Sequence, residues 1–210
     1  FNKTSWGCEI PIGALSYEQK RSIIIQITLD EDYTDSSIHT FLNVNGLKFE
    51  DVTDISTVAN IESEIEYQKL CLEACDIIKE NFEILNSNIH NLTKIQENIN
   101  IFIEHIKIIK DNDRNIHHKE LLEGLYDDIY GQVKEAFSKI EFYDKWGKHY
   151  LPALIEAHKL KICINFKDAG VQNYGGKLFK QLRDGCEEEY MTLIPIDRNA
   201  YMRASMSRYD

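Results

Sequence analysis

The loop near residue 170 contains the residue types of a phosphate-binding loop, but in the wrong register. A Walker-type loop has four residues between its first glycine and a Gly-Lys-Ser/Thr sequence, because the lysine holds the phosphates and the hydroxyl binds Mg²⁺. Gly170 is followed after four residues by Gly175, as this pattern requires. Gly176 then shifts Lys177 by one position, and Leu178 stands where the hydroxyl should be. The spacing therefore argues against nucleotide binding and predicts no cofactor; weak anion contact at the N-terminus of the following helix is the alternative.

The same glycines suit a packed structural loop. Gly175 and Gly176 are predicted to supply positive φ and close approach, while Tyr174 and Phe166 anchor the loop on neighbouring helices. The apolar residues at 160–166, just before the loop, fit either a strand or the end of a helix.

The cysteines and histidines lack the spacing of a metal centre or a catalytic site. The five cysteines are scattered and odd in number, a pattern typical of reduced thiols rather than of a disulfide framework. Cys71 and Cys75 lie four residues apart in a helical pattern and are predicted to face the core. His149 and His158 fall on different helix faces, as interfacial or hydrogen-bonded side chains, and nothing orients His158 with Cys163 as a dyad. The sequence therefore predicts no catalytic, cofactor-binding or metal-binding residue.

Composition and charge limit the possible partners. The 210 residues include 43% hydrophobic and 28% charged residues, which is ordinary for a globular protein. A formal net charge of −11 argues against binding to nucleic acid or to an anionic membrane surface. No apolar run approaches the roughly 20 residues that cross a bilayer. We expect an intracellular, cytoplasmic protein.

Residues 1–56 are predicted to form the β-rich subdomain of an α+β fold. The segment RSIIIQITL has isoleucines on both faces of a strand, at Ile23, Ile24, Ile25 and Ile27. The dipeptide Asn45-Gly46 predicts a type I′ hairpin within SIHTFLNVNGLKFEDV. Three or four strands cannot cover both of their own faces, so we expect an antiparallel sheet that forms part of a sandwich and self-associates when isolated.

Residues 57–195 are predicted to form an antiparallel bundle of four to five helices. Apolar residues recur at three- and four-residue steps through four segments: 61–85, 92–109, 117–139 and 144–160. Short connections make consecutive helices antiparallel neighbours. His117 and His118 fall in a polar connection and are expected to be solvated, as is the charge run Glu187-Glu188-Glu189. Residues 196–210 are expected to be an extended tail leading to an absent domain.

Two stretches of the helical half resemble a known family. The sequences KWGKHYLPALIEAHKL (145–160) and NFKDAGVQNYGGKLFKQLRD (165–184) resemble the Vwaint region of proteins that join a von Willebrand factor A (VWA) domain to a hedgehog/intein-type (Hint) autoprocessing domain. Shorter likenesses lie at IPIGALSYEQKRSIII, EIEYQKLCLEACDII and MSRYD. The resemblance marks a set of structural motif residues: Trp146, Gly147, His149, Tyr150, Leu151, Pro152, His158, Asn165, Phe166, Lys167, Asp168, Gly170, Tyr174, Gly175, Gly176, Arg183 and Asp184.

The resemblance implies a non-enzymatic linker and interaction module. Such a module would position an adhesion-type A domain relative to a self-cleaving domain, with these flanking domains as partners in cis and a further protein in trans. The family resembled occurs in eukaryotes and large viruses, so the resemblance also implies the virion as a location if the source is such a virus. Some relatives resemble ubiquitin-ligase chains, so recruitment of substrates to such a ligase is the alternative. Ala169 stands where the family usually has proline, and residues 18–22 also depart from the family pattern. Neither the A domain's metal-binding motif nor a Hint nucleophile is present in these 210 residues.

Overall fold

A computed structural model describes residues 2–5, 7–15, 18–25, 27–28, 37–54, 62–87, 91–164 and 166–193. It confirms the α+β class: β-hairpins near the N-terminus precede a set of helices. Asn165 and the predicted tail at 196–210 lie outside the described residues.

The helical part follows the predicted periodic segments closely. Its elements in chain order are α1 (Glu62–Ser87), α2 (Leu92–Asn112), α3 (Ile116–Asp128), a π-helical turn (Ile129–Val133), α4 (Lys134–Ala136), α5 (Ile140–Phe142), a second π-helical turn (Tyr143–Gly147), α6 (Lys148–Leu160), α7 (Ala169–Gln172) and α8 (Lys177–Thr192). The third and fourth predicted helices therefore each contain a π-helical turn, in which one extra residue is accommodated and the helix continues. Each such continuous run of α-helix and π-helical turn is called a rod below.

The long helices pack as antiparallel neighbours. Between α1 and α2, Asn98 bonds to Asn81 and His105 lies 3.8 Å from Glu73, so sequence numbers rise on one helix as they fall on the other. The helix α2 runs antiparallel to the rod of α3 and α4, through the pairs Lys110 with Glu123 and Gln96 with Phe137. The helix α1 runs antiparallel to the rod that contains α6, through the pairs Cys75 with Ile155 and Asn86 with Tyr143. The predicted antiparallel bundle is confirmed.

The core of the molecule lies between these helices. Its members come from the predicted apolar stripes and include the fully buried Ile78, Ile95, Ile106, Leu125, Phe137, Leu151 and Leu154. Cys71 and Cys75 are both 0% exposed, as their four-residue spacing predicted. Each stripe is therefore covered by the stripes of its neighbours, which is what stabilises the bundle.

The described strands form two separate hairpins. Strands β1 (Asn2–Thr4) and β2 (Gly7–Glu9) pair in one, and β3 (Ser37–Val44) and β4 (Leu47–Asp54) pair in the other. The turn between β3 and β4 has φ 50° at Asn45 and φ 86° at Gly46, the signs that a type I′ turn requires. The predicted Asn-Gly hairpin is therefore confirmed.

The predicted strand in RSIIIQITL is wrong. Residues 18–25 and 27–28 contain no strand, and Ile23, Ile25 and Ile27 are each about half exposed, at 43%, 50% and 52%. A β-branched run becomes a strand only when another strand pairs with it, because strand preference reflects packing on a sheet rather than the backbone alone. The four described strands pair only within their own hairpins.

One face of the β3–β4 hairpin is apolar and exposed. The register pairs Leu42 with Phe49 and Val44 with Leu47, and alternation places Ile38 on the same face. Exposures on this face run from 38% at Ile38 to 65% at Leu47. Apart from the half-buried Ser37, every residue of the two strands is exposed. We name these five side chains (Ile38, Leu42, Val44, Leu47 and Phe49) the hairpin face.

Candidate functional site

The site lies where α6 ends and the glycine-bearing loop begins. Lys161 has a left-handed backbone, with φ 52° and ψ 47°, and the N–H of Ile162 donates to the carbonyl of Ala157 at 3.0 Å. This 6→1 bond is the Schellman pattern that stops a helix. The chain then turns back over the end of the bundle, and Lys161 is only 4% exposed.

Three side chains meet around the hydroxyl of Tyr174. Its oxygen lies 2.8 Å from Nδ1 of His158, 3.4 Å from Nζ of Lys161 and 3.6 Å from Sγ of Cys71. On the opposite side of the imidazole, Nε2 of His158 lies 3.2 Å from Oδ2 of Asp128, and both of these side chains are 0% exposed. We call Cys71, Asp128, His158, Lys161 and Tyr174 the polar cluster. It joins α1, α3 and α6 to the loop.

The side chain of Asp128 also binds the backbone of the loop. Its carboxylate accepts the N–H of Gly170 at 2.9 Å and the N–H of Val171 at 3.2 Å, at the start of α7. A Cβ on Gly170 would lie 2.4 Å from Oδ2 of Asp128 and 3.1 Å from the carbonyl oxygen of Gly124. Glycine is therefore required at position 170 by close approach, not by backbone conformation.

A second buried carboxylate is bound beside the cluster. The hydroxyl of Tyr150 donates to Oδ1 of Asp168 at 2.6 Å, and the ring of Tyr150 packs edge-on against Trp146 and Phe166. Burial raises the pKa of Asp168, and the charge of Asp128 adds to that effect. The two carboxylates thus lie on one side of the loop, where Tyr150 holds Asp168 and His158 holds Asp128.

The environment shifts the pKa values of the cluster in opposite directions. Burial by itself would lower the pKa of His158, but its hydrogen bonds to Asp128 and Cys71 outweigh burial, so the pKa is raised. Burial by itself would raise the pKa of Cys71, but the hydrogen bond with His158 and the charge of Lys161 outweigh it, so the pKa is lowered. The two shifts thus have opposite directions: Asp128 favours the charged form of His158, while His158 and Lys161 favour the charged form of Cys71.

Lys161 is held above two aromatic rings. Its Nζ lies 4.9 Å from the ring centroid of Tyr174 and 5.8 Å from that of Tyr67. Cation–π attraction and the Tyr174 hydroxyl thus take the place of the water that a buried ammonium loses.

The N-terminal segment also reaches this end of the bundle. Nε2 of Gln19 donates to the carbonyl of Lys161 at 2.9 Å, which satisfies a backbone oxygen at the end of α6. The N–H of Leu178 donates to a carboxylate oxygen of Glu18 at 3.3 Å. The N-terminus of α8, where the anion alternative would place its ligand, therefore already meets an acidic side chain of the same chain.

The structure brings together only part of the predicted motif set. Tyr150, His158, Asp168, Gly170 and Tyr174 surround the cluster. Gly147 and Leu151 are buried in the bundle and Trp146 is partly buried against it, while the other described members lie at the surface or half-buried: His149, Pro152, Phe166, Lys167, Gly175, Gly176, Arg183 and Asp184. The predicted separation of His149 from His158 is confirmed, because one is exposed and the other buried.

Two predictions about this region are wrong. Gly175 and Gly176 do not have positive φ; Gly176 has φ −63°. Close approach is the real constraint at Gly175, because a Cβ there would lie 3.0 Å from both Cβ and Sγ of Cys163. His118 is not solvated but 3% exposed, since its ring pairs with the carboxylate of Asp113.

Sequence reasoning missed Asp128 and Lys161. Asp128 follows Leu125 by three residues, so it falls on the apolar stripe of its helix, where a carboxylate needs a partner. A charged residue at a stripe position is the signal that could have found it. Lys161 gives no such signal, because only the left-handed turn at the end of α6 points it inward.

Comparison with known families covers this region. Residues 119–188 match the Vwaint family, described as VWA / Hh protein intein-like. The match begins one turn into α3 and ends within α8. It confirms the Vwaint resemblance for these residues. No curated protein matches the chain, and neither does any solved structure.

Two kinds of feature are absent from the described residues. None of the helices described has both the length and the apolar character needed to cross a membrane. Within the same residues, no group of three or more histidine, cysteine or acidic side chains is placed to hold a metal ion.

Proposed function

We propose that the chain is a non-enzymatic linker and interaction module of a VWA–Hint type protein, acting inside the cell or virion. The bundle would be the rigid part, because the polar cluster fixes the loop of the Vwaint match to three helices. The β3–β4 hairpin would be the docking part.

The exposed hairpin face is the single observation that carries this proposal. A two-stranded hairpin is marginally stable by itself and normally packs its apolar face on something else. Here Phe49 and Leu47 are 55% and 65% exposed, and they lie next to each other on one face. Contiguous apolar surface of this kind is typical of an interaction site. The resemblance supplies the partner: strands of sequence adjoining the A domain, which would complete a sandwich.

Light scattering tests the proposal on the 210-residue chain and on a longer version that includes the adjoining A-domain segment. We expect concentration-dependent self-association of the shorter chain and a monomer for the longer one. A shorter chain that stays monomeric and folded at high concentration would contradict the proposal.

A matched pair of variants locates the surface. Phe49→Ser removes an apolar group from the hairpin face, whereas Val52→Ser removes one of similar exposure, 51%, from the opposite face of the same strand. Self-association should weaken in the first variant and persist in the second. Equal effects would mean that the hairpin face is not the interface.

A further inference from the structure

Helix α8 has a row of apolar side chains on its surface. Apart from the half-buried Lys180 and Arg183, every residue of this helix is exposed. The members of the row follow each other at steps of three and four residues, so they lie on one face of the helix. We call these residues the α8 stripe: Phe179, Leu182, Cys186, Tyr190 and the C-cap Leu193. Such a stripe on a helix is normally covered by another element.

The α8 stripe is not the face by which the helix is attached to the loop. The guanidinium of Arg183 donates to the side chain of Gln172. Four residues later, the carboxylate of Glu187 pairs with Lys167. Arg183 and Glu187 therefore share the attached face of α8. The α8 stripe lies beside that face, and its four larger side chains are from 37% exposed at Phe179 to 72% exposed at Tyr190.

The spacing of the α8 stripe is symmetric about Cys186. Leu182 precedes this cysteine by four residues and Tyr190 follows it by four. Phe179 precedes it by seven residues and Leu193 follows it by seven. In two antiparallel copies of α8 whose cysteines lie opposite each other, Leu182 would therefore face the partner's Tyr190, and Phe179 would face the partner's Leu193. A surface that is complementary to itself in this way is what a two-fold dimer requires.

We propose that the α8 stripe binds a second copy of this chain, with the two α8 helices antiparallel about a two-fold axis at Cys186. The two small cysteines at the centre would let the helices approach closely, and the larger side chains would form an apolar layer on either side of them.

The charges of α8 favour this antiparallel direction. Residues 177–184 include three basic residues and one acidic residue, whereas residues 185–192 include three glutamates and no basic residue. This order is opposite to the one that the helix dipole favours, which is acidic at the N-terminus and basic at the C-terminus. An antiparallel copy would bring its basic half beside the acidic half of the first copy. A parallel copy would instead bring like charges together.

The size of the contact indicates weak pairing. Each copy would contribute the α8 stripe alone, whereas a standard protein interface involves about 20–30 residues a side. We therefore expect the chain with its adjoining A-domain segment to remain a monomer in dilute solution and to form this contact where copies are concentrated. The contact does not involve the hairpin face, so the two surfaces can be tested separately.

Disulfide cross-linking tests the arrangement, with the added oxidant as a probe only. The two exposed cysteines are first removed by Cys8→Ser and Cys186→Ser. Leu182→Cys and Tyr190→Cys are then introduced into separate chains, which are mixed at high concentration and oxidised. In the antiparallel pair these positions face each other, and a disulfide needs Cα atoms roughly 4.4–6.8 Å apart. Peptide mass spectrometry should therefore find a link between positions 182 and 190.

The same mixture measures the direction of the helices. Positions 182 and 190 are eight residues apart, which is about 12 Å along a helix at 1.5 Å per residue. In the antiparallel pair the two copies of position 182 are separated by this distance, so a 182–182 link should be at least about tenfold rarer than the 182–190 link. A parallel pair would give the opposite result. A 182–182 link that is equal or more abundant would overturn the proposal.

A matched pair of variants locates the contact on α8. Leu182 belongs to the α8 stripe and is 61% exposed, whereas Met191 lies outside the stripe and is 77% exposed. In a chain that keeps Cys186 and has Cys8→Ser, we expect Leu182→Ser to lower the yield of the Cys186–Cys186 link several-fold. Met191→Ser should leave the yield unchanged. Equal yields in the two variants would overturn the proposal.

Phe49→Ser separates this contact from association through the hairpin face. The 182–190 link should persist when Phe49→Ser is added to the two cysteine variants. Its disappearance would show that the hairpin face brings the helices together, and this would overturn the proposal. Self-association without any 182–190 link would overturn it as well, while leaving the function proposed for the hairpin face intact.

Discussion

The bundle and the β3–β4 hairpin contain similar apolar side chains with opposite surroundings. In the bundle, Ile95 and Ile106 are 0% exposed because stripes on neighbouring helices cover each other. In the hairpin, Phe49 and Leu47 are more than half exposed. The difference shows that the described part of the chain supplies both sides of its helical core but only one side of its sheet.

The polar groups of the bundle and of the hairpin also differ in burial. The bundle buries Asp128, His158 and Lys161 and gives each of them partners, so that they fix the loop in one place. On the hairpin, Nδ1 of His39 lies 3.4 Å from a carboxylate oxygen of Glu50, and both side chains are about half exposed. Such a surface pair contributes little to stability, whereas removing one member of a buried set is costly. The comparison can therefore be tested by substitutions that act on one region and not on the other.

The largest effect is expected from Gly170→Ala. The added Cβ would occupy the place of the Asp128 carboxylate, 2.4 Å from its Oδ2, and would force this buried charge away from its N–H partners. We expect the free energy of unfolding to fall by about 3–5 kcal/mol, which is the cost of breaking a buried ionic set. Thermal and denaturant unfolding measure it.

Gly185→Ala is the matched control. A Cβ on Gly185, in α8, meets nothing within 4 Å. Alanine is better than glycine within a helix by about 1 kcal/mol, so this variant should be no less stable than the unmodified chain. If both variants behaved alike, close packing of α7 on Asp128 would not be what holds the loop.

A second pair of variants compares the two regions directly. Leu154 is 0% exposed and Leu47 is 65% exposed. Leu154→Ala should cost about 2–5 kcal/mol through lost burial and a cavity, whereas Leu47→Ala should change the stability of the monomer by less than about 0.5 kcal/mol. Urea unfolding at a concentration where the chain is monomeric measures both. A large cost for Leu47→Ala would mean that the hairpin face is already covered within the chain.

The bundle could be predicted from sequence because residues close together in the chain determine it. Apolar spacing fixes which face of each helix is buried, and the short link between α1 and α2 fixes their antiparallel direction. The β3–β4 hairpin was predictable for the same reason, since Asn45-Gly46 specifies the turn. The strand predicted in RSIIIQITL failed because pairing depends on a distant partner, and isoleucine content does not reveal one.

The polar cluster could be predicted only in part. His158 and Tyr174 were identified as motif residues, but Cys71 comes from a helix nearly 90 residues earlier in the sequence. The π-helical turn at Ile129–Val133 follows Asp128 directly, and no periodic pattern indicates such a turn. Contacts of this range are set by tertiary packing, which the spacing of apolar residues does not specify.

A smaller effect is expected from the opposed pKa shifts of Cys71 and His158. The stability from the raised pKa of His158 is lost as the pH rises above 6.5, whereas that from the lowered pKa of Cys71 is lost as the pH falls below 9.0. Between these values the two slopes oppose each other, because folding raises the proton affinity of the imidazole and lowers that of the thiol. We expect the free energy of unfolding to be nearly constant across this window.

Cys71→Ala should remove this balance. Without Cys71, only Asp128 among the named causes raises the pKa of His158 against burial, so the stability that this pKa provides is lost above pH 6.5 with no thiol to offset it, at no more than about 1.4 kcal/mol per pH unit. Cys75→Ala, at the same depth, should keep the flat profile. Denaturant unfolding at several pH values compares the three proteins, and parallel profiles would contradict the coupling of Cys71 to His158.

The smallest effect on the bundle is expected from Gly46→Ala. Gly46 has φ 86°, and a Cβ there meets nothing within 4 Å, so the cost is purely conformational. A left-handed backbone costs a non-glycine residue roughly 1–2 kcal/mol, and this cost falls on the hairpin turn. Because the hairpin contributes no buried side chain, the free energy of unfolding of the bundle should change by less than about 0.5 kcal/mol. Amide hydrogen exchange should accelerate at β3 and β4 and stay unchanged in α1 and α6. Faster exchange in the helices as well would show that the hairpin and the bundle unfold as one unit, and the contrast between the two regions would then be wrong.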